Sequence, residues 1–279
     1  MRYKVRCRLA YSLPSPSTFV FNVAPPDTMA QTVETESLTL EPDLPVREFR
    51  DAEAGNRYHR LEASAGTLVL DYRATVRTEP VASPREGIPA TRPAVLSPHV
   101  MPYLVPSRHS ESDLVMRLAW REFGALPETI ERPVRIAQWI HDNVDYLVGT
   151  THSATSAFNT LTSRAGVCRD FAHLGIAFCR ALNIPARFVS AYSYDLRPPD
   201  FHAVFEAWLD GRWYLFDPTG LASPGGLVRI GTGRDAADVS FSLIFGPAIL
   251  NSMAVTAEPC DSESAERPQS WSNLAISSA

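Results

Sequence analysis

The sequence predicts an α+β protein in which an antiparallel β-domain comes first and a domain of helices and strands follows. Apolar and polar residues alternate through about the first eleven positions, which is the period of a half-buried strand. No helical period competes with this pattern before about residue 105, whereas amphipathic helical runs begin soon after it. Strand-rich and helix-rich regions are therefore separated along the chain.

The composition is typical of a globular protein without a broad anion-binding surface. The chain has 279 residues, of which 45% are hydrophobic and 20% charged, and its formal net charge is −5. These values exclude wholesale disorder and argue against nucleic acid as a partner. No apolar stretch is long enough for a membrane span, and the charged start lacks the apolar core of a signal peptide. Four cysteines without CxxC spacing predict a protein of the reducing cytoplasm.

We predict that residues 1–105 form a β-rich N-terminal domain. Beyond the first strand, β-like runs separated by Pro, Asp and Gly cover residues 17–23, 36–41, 57–62 and 67–78. Residues 79–106 carry seven prolines and are expected to be an extended connector. The alternative is that this Pro-rich segment is a covering loop of one continuous domain.

Helices are expected in the second domain, residues 106–250. Caps or starts for three helices are visible at Ser112 or Asp113, at Pro127, and at Thr155 or Ser156. From residue 251 onward the chain is rich in Glu, Ser and Pro and shows little periodicity. This composition predicts a mobile tail over residues 251–279.

A cysteine is predicted to begin the next helix. Apolar residues recur at helical spacing from Phe171 to Leu182, and Gly166 permits a tight turn before them. Cys168 therefore lies in the first turn, where unpaired backbone N–H groups and the helix dipole favour a thiolate. Cys179 lies about 16 Å further along the helix axis and is expected in the core.

An Asp-Gly pair at residues 210–211 predicts a two-residue hairpin between two apolar strands. In that register Trp208 faces Trp213, and His202 and Asp217 fall on the same face as diagonal neighbours. Their Cβ atoms would be about 7–8 Å apart, which allows an imidazole to meet a carboxylate. A slip of one residue would place them on opposite faces.

Cys168, His202 and Asp217 are the residue types of a nucleophile, a base and the group that orients the base. The histidine would take the proton of the thiol and later deliver one to the leaving group, while the aspartate would fix the tautomer of the ring. Two other interpretations stay open. A zinc site that also used His173 would match no common ligand spacing, and a surface hairpin with incidental polar residues would need no chemistry.

Four segments resemble the core of the transglutaminase-like superfamily, namely Gly166–His173, Asn183–Arg187, His202–Glu206 and Trp213–Thr219. The resemblance covers about residues 110–245 and includes residues 229–238, which are similar to the end of the bacterial branch. It implies a papain-like core, with the helix bearing the cysteine packed on an antiparallel sheet, and a β-rich N-terminal region. Arg169 and Val204 depart from residues that are frequent in relatives, where Gln and Trp often stand.

The resemblance also implies a Cys-His-Asp triad of Cys168, His202 and Asp217 and acyl transfer through a cysteine thioester. A peptide or protein amide would be the substrate, and hydrolysis is favoured. The alternatives are a protein-glutamine or peptide amine acyltransferase and a catalytically silent binding or scaffold module. No Gly-rich phosphate loop or dinucleotide fingerprint is present, so no cofactor is expected.

Stabilisation of the oxyanion requires two hydrogen-bond donors in this chemistry. The backbone N–H of Cys168 is the first expected donor. The resemblance implies a second donor from a side chain upstream of the cysteine, for which the sequence leaves four candidates open: Tyr146, Thr151, His152 and Asn159.

Overall fold

The structure is a computed structural model that describes residues 1–260 and 273–278. Its helices are α1 (Ser112–Phe123), α2 (Glu131–Asn143), α3 (Ala157–Ser163) and α4 (Cys168–Ala181). Its strands are β1 (Arg2–Leu13), β2 (Ser17–Phe21), β3 (Gln31–Glu41), β4 (Arg47–Arg50), β5 (Arg57–Ala63), β6 (Gly66–Thr78), β7 (Val81–Pro84), β8 (Asp145–Tyr146), β9 (Ala165–Gly166), β10 (Ala186–Ser193), β11 (Phe201–Leu209), β12 (Arg212–Phe216), β13 (Leu227–Gly233), β14 (Ser242–Phe245), β15 (Ile249–Pro259) and β16 (Leu274–Ser277). Within these described ranges, no helix has the length and apolar character needed to cross a membrane.

Two four-stranded antiparallel sheets build the N-terminal part of the chain. Their strand orders are β15-β1-β6-β3 and β14-β2-β5-β4. Every second residue of β1 is buried, from Tyr3 to Leu13. Side chains of both sheets meet in one apolar cluster that includes Leu9, Tyr11, Phe19, Phe21 and Leu70. The predicted antiparallel β-region is therefore confirmed.

Strands from the far end of the chain complete these sheets. β15 pairs with β1, and β14 pairs with β2. The predicted mobile tail is therefore wrong for residues 251–259 and 274–277, while residues 261–272 lie outside the described part of the chain. Within β15 only Val255 is buried, so backbone hydrogen bonds to β1 hold the strand. An edge strand of this kind shows no apolar alternation in the sequence.

The Pro-rich segment lies against the second part of the chain, as the covering-loop alternative describes. β7 pairs with β16, and Ala90 forms a β-bridge with Leu209. The ring of Tyr103 meets that of Trp213 edge-on, with 5.2 Å between their centroids. These contacts place the segment alongside the hairpin that carries the candidate site.

The second part of the chain is an antiparallel sheet with helices packed against it, which confirms the α+β class. The strand order is β12-β11-β10-β13, and one apolar cluster joins α1, α2 and α4 to β10, β11 and β12. Helix α2 begins at Glu131 and not at the predicted Pro127. The reason is Pro133, which has no N–H to donate and fits best in the first turn of a helix.

Helix α4 approaches this sheet closely at a glycine. Gly175 faces Phe205 of β11, and a Cβ added to Gly175 would lie 2.5 Å from the Phe205 ring. A residue without a side chain is therefore needed at this contact. The contact brings the helix that carries Cys168 onto the strand that carries His202.

Two carboxamides of the N-terminal part bind the edge strand β13 as a neighbouring strand would. Gln31 donates to the carbonyl of Arg229 at 3.0 Å and accepts the N–H of Arg229 at 2.8 Å. Asn56 makes the same pair of bonds to Thr232, at 2.8 and 2.9 Å. This amide clamp, formed by Gln31 and Asn56, satisfies the free edge of β13 and fixes it to the N-terminal sheets.

We expect Gly175→Ala to lower the free energy of unfolding by about 1–3 kcal/mol, because the added methyl group forces Phe205 or the helix to move. Urea unfolding followed by circular dichroism measures this change. Gly226→Ala is the matched control, since its Cβ would have no neighbour closer than 3.5 Å. An equal loss of stability in both variants would contradict the close contact.

Candidate active site

Cys168 is the first residue of α4, as the sequence predicts. Gly166 lies against Asp170, and a Cβ added to Gly166 would come within 2.8 Å of the Asp170 Cβ. The Asp170 carboxylate accepts the N–H of Val167 at 3.0 Å and caps the start of the helix. Cys168 therefore sits among the backbone N–H groups of a tightly held first turn.

Arg169 ties the neighbouring loop to this helix start. Its guanidinium lies 3.3 Å from the buried carboxylate of Asp170 and donates to the carbonyl of His152 at 2.8 Å. Asp170 thus has a structural role at the start of the helix. These bonds hold the loop that precedes α3 beside Cys168.

The hairpin has the predicted register, with Trp208 paired to Trp213 across the turn at residues 210–211. His202 stands near the start of β11, and Asp217 follows β12 directly. The distance from His202 Nε2 to Asp217 Oδ2 is 2.9 Å. The structure therefore brings together the two residues that the register places on one face.

The carboxylate of Asp217 is held by the turn that follows it. Its Oδ1 accepts the N–H and the hydroxyl of Thr219, at 2.9 and 2.7 Å, and its Oδ2 accepts the N–H of Ala222 at 3.0 Å. With His202, these bonds satisfy a side chain that is only 3% exposed. The orientation of the carboxylate is thus fixed from two sides.

Thr219 is a residue to which the sequence analysis assigned no role. Its hydroxyl and its N–H both bind Asp217. A threonine two residues after an aspartate is a signal for a local side-chain turn, and this signal could have identified it.

His202 and Asp217 each stabilise the charged form of the other. Burial has the largest effect on His202 and opposes its charge, but Asp217 and the Cys168 thiol raise the pKa of the imidazole to about 10. Burial also opposes the charge of Asp217, yet His202 and the bonds from Thr219 and Ala222 hold its pKa below the ordinary value. The pair is therefore an imidazolium and a carboxylate at neutral pH.

The two ring nitrogens of His202 have different surroundings. Nε2 is engaged with Asp217. Nδ1 is buried and has no hydrogen-bond partner among the described residues. The Cys168 thiol is near enough to the ring to contribute to the raised pKa of His202. The structure thus places the three predicted residues close together.

Tyr146 is the candidate oxyanion donor that lies near Cys168. Burial raises the pKa of Tyr146 above its ordinary value, and the thiol and backbone N–H of Cys168 are near enough to shift it as well. The Oδ1 atom of Asn159 accepts the N–H of Ser156, which holds this side chain at the start of α3. The Nδ1 atom of His152 accepts the N–H of Ala154.

His173 packs behind the site and does not join it. Its ring stacks on that of His109, with 5.1 Å between centroids, and its Nε2 accepts the N–H of Ala236 at 3.1 Å. Burial first, and then His109, hold the pKa of His173 well below the usual value. Among residues 1–260 and 273–278, no three His, Cys, Asp or Glu side chains converge as metal ligands do.

Comparison with known proteins decides the family. The core model of the transglutaminase-like superfamily matches residues 120–218, and the model of the bacterial transglutaminase N-terminal domain matches residues 1–81. A crystal structure described as a "Putative Cysteine Protease from Cytophaga hutchinsonii" is 42% identical, covers 99% of this chain and 97% of that chain, and gives a TM-score of 0.95. The chain belongs to the transglutaminase-like superfamily.

Curated mycobacterial relatives match a shorter part of this transglutaminase-like chain. An uncharacterized protein of Mycobacterium leprae is 35% identical over 116 residues, which are 38% of this chain and 41% of that protein. One from Mycobacterium tuberculosis is 34% identical over 142 residues, which are 43% and 45% of the two chains. The match thus spans less than half the length of these relatives.

We expect Asp217→Asn to lower the pKa of His202 below its value of about 10. Burial disfavours the charged imidazolium, and the variant lacks the negative charge of Asp217 that offsets this effect. NMR titration of isotopically labelled histidine measures this pKa. The wild-type ring should stay protonated at about pH 8, whereas the ring of the variant should be neutral there. Asp142→Asn on the exposed side of α2 is the control. An unchanged His202 titration in Asp217→Asn would contradict the charged pair.

Proposed function

We propose that this protein is a cysteine-dependent amide or peptide hydrolase that acts through a thioester on Cys168. The observation that carries the proposal is the buried His202–Asp217 pair, which lies close to the Cys168 thiol at the start of α4. An imidazolium beside a thiol at a helix N-terminus favours the thiolate, which is the nucleophilic form of cysteine. Membership of the transglutaminase-like superfamily supports the same chemistry.

The proposed reaction has two half-reactions. The Cys168 thiolate attacks the amide carbonyl, and His202 gives its proton to the leaving nitrogen as the C–N bond breaks. The neutral imidazole then takes a proton from water, whose oxygen attacks the thioester carbonyl. Breakage of the C–S bond releases the carboxylic acid and restores the thiolate and the imidazolium. Asp217 orients the ring and stabilises its charged form throughout.

Water is the proposed acceptor, and the cytoplasm is the proposed location. An enzyme that transferred acyl groups freely to amines would cross-link its neighbours there, because cytoplasmic proteins carry abundant lysines. Amine transfer is the second candidate function. The match of residues 1–81 to the N-terminal domain of bacterial transglutaminases favours it.

Alkylation of the four cysteines tests whether the thiol is activated. We expect iodoacetamide at about pH 6 to modify Cys168 selectively, and His202→Ala to reduce this rate on the order of 10²-fold. The reason is that an unassisted thiol is ionised to well under about 1% at that pH. Mass spectrometry of each cysteine peptide from pH 5 to 9 gives the rates.

The chain provides its own references for this experiment. Cys7 and Cys179 are fully buried, and Cys260 is partly exposed and lies outside the site. His99→Ala removes an exposed histidine and should leave the rate at Cys168 unchanged. If Cys168 reacts no faster than Cys260, and if His202→Ala does not change the rate at Cys168, the triad is not assembled. A silent binding or scaffold module would then be the better description.

The fate of the acyl group distinguishes hydrolysis from amine transfer. We expect a peptide library incubated with wild-type protein in isotopically labelled water, together with a labelled primary amine, to acquire the oxygen label at new carboxylates. Cys168→Ala should abolish this incorporation, because no thioester can form without the thiol. Mass spectrometry detects both labels. A majority of amine adducts would contradict the hydrolase and identify an acyltransferase.

A further inference from the structure

A basic groove crosses the outer face of the N-terminal sheet β15-β1-β6-β3. The groove has a volume of about 600 Å³. Its cations come from successive outward positions of β1 and from β6, namely Lys4, Arg6, Arg8 and Arg73. Between them the outward residues are short: Thr35, Ser37, Thr75, Ala254 and Thr256. Long cationic side chains thus border a channel that small, mostly polar side chains leave open.

Strand pairing places two of these cations opposite each other. Arg6 faces Arg73 in the register of β1 with β6. Both guanidiniums bind the carboxylate of Asp71, at 2.6 and 3.0 Å, so one negative charge serves two positive charges. Facing like charges destabilise a sheet, and a further anion would relieve this repulsion. The side chains of Arg6 and Arg73 are 44% and 60% exposed, which leaves them accessible to such an anion.

The other two cations of the groove have no ion-pair partner within the described part of the chain. Arg8 faces Asp71 across the strands, but that carboxylate is bound to the other two arginines. Glu258 of β15 faces Lys4 in register without forming an ion pair. The groove therefore keeps an excess of positive charge, although the net charge of the whole chain is −5.

A second glutamate beside the groove does not offset this excess. Glu36 alternates with the outward residues of β3, and its carboxylate binds on the inner side of the sheet. There it accepts hydrogen bonds from Arg57 and from the hydroxyl of the buried Tyr72, both at 2.8 Å. Its charge is thus balanced by Arg57 and is turned away from the channel.

We propose that the basic groove binds an acidic segment of a partner protein in an extended conformation. Alternate residues of a strand are about 6.8 Å apart, and alternate side chains of an extended peptide have the same spacing. Asp or Glu at every second position of the segment can therefore face Lys4, Arg6 and Arg8 in turn. Guanidiniums bind carboxylates through paired hydrogen bonds, which favours a peptide carboxylate as the ligand.

The lining of the groove favours a peptide over a nucleic acid. Among the described residues that line it, none is aromatic, so bases would find no ring on which to stack. The net charge of −5 also repels a long phosphate chain. The hydroxyls of Thr35, Ser37 and Thr75 are suited instead to the N–H and C=O groups of a peptide.

Binding of a fluorescein-labelled peptide in which Glu alternates with Ser tests this proposal by fluorescence anisotropy. We expect Lys4→Gln combined with Arg8→Gln to raise the Kd about tenfold, because two cations of the groove are lost. Added salt should weaken wild-type binding, since it screens exposed charges. Both residues are exposed, so the double variant should fold normally, which circular dichroism checks. An unchanged Kd in the double variant would overturn the proposal.

Three controls separate the groove from general charge effects and from the chemistry of the candidate active site. Arg117→Gln removes an exposed arginine of α1 and should leave the Kd unchanged. The same peptide with Gln in place of Glu should not bind. Cys168→Ala should bind like the wild type, because the proposal needs no thiol and stands apart from the proposed function. Equal binding of the Gln peptide, or tighter binding of a single-stranded oligothymidine, would contradict an acidic peptide as ligand.

Lys4 also reports where the peptide lies, since it is the only lysine of the chain. A carbodiimide joins a carboxylate to an amine that is in direct contact with it. We expect the peptide to be coupled to Lys4, and mass spectrometry of the digested protein locates the adduct. Coupling at the N-terminal amine alone would place the peptide outside the groove and overturn the assignment.

Discussion

Helix α4 carries Cys168 and strand β11 carries His202, so the spacing between helix and strand sets the spacing between thiol and imidazole. That spacing depends on two glycines. Gly175 lets the helix lie directly on Phe205, and Gly166 lets the chain turn tightly against Asp170 at the helix start. Because protein interiors are close-packed, neither contact can loosen without moving the ends of the elements that hold the site.

Strand β11 also shows how this fold buries charge. It carries His202, which is paired with Asp217, and Glu206, which is fully buried between Arg187 and Arg229. A buried charge is costly unless partners and hydrogen bonds satisfy it. At Asp217 the polar turn supplies those bonds, which lets a buried carboxylate stay ionised and keep an imidazolium beside the thiol. The proposed chemistry of the site thus depends on full hydrogen bonding of the buried Asp217 carboxylate.

Strand pairing and hydrogen bonds join the N-terminal sheets to the second part of the chain. The amide clamp binds the free edge of β13, and β14 and β15 return from the end of the second part of the chain to complete the first two sheets. The Pro-rich segment then runs back along the hairpin. Sequence reasoning placed a boundary at residue 105 because local periodicity changes there, whereas these long-range pairings leave no local signal.

The sequence by itself determined the elements and the candidate residues of this protein. Alternation defined β1, helical spacing placed Cys168 at the start of α4, and the Asp-Gly turn fixed the register that joins His202 to Asp217, because all three signals are local. Only the tertiary structure decided that Tyr146 lies near the segment that leads to Cys168 and that residues 249–259 form a strand. Tyr146 is set by the pairing of β8 with β9, and β15 is set by backbone bonds to β1. Backbone hydrogen bonds between segments distant in sequence depend on geometry and not on side-chain type, so no sequence pattern predicts them.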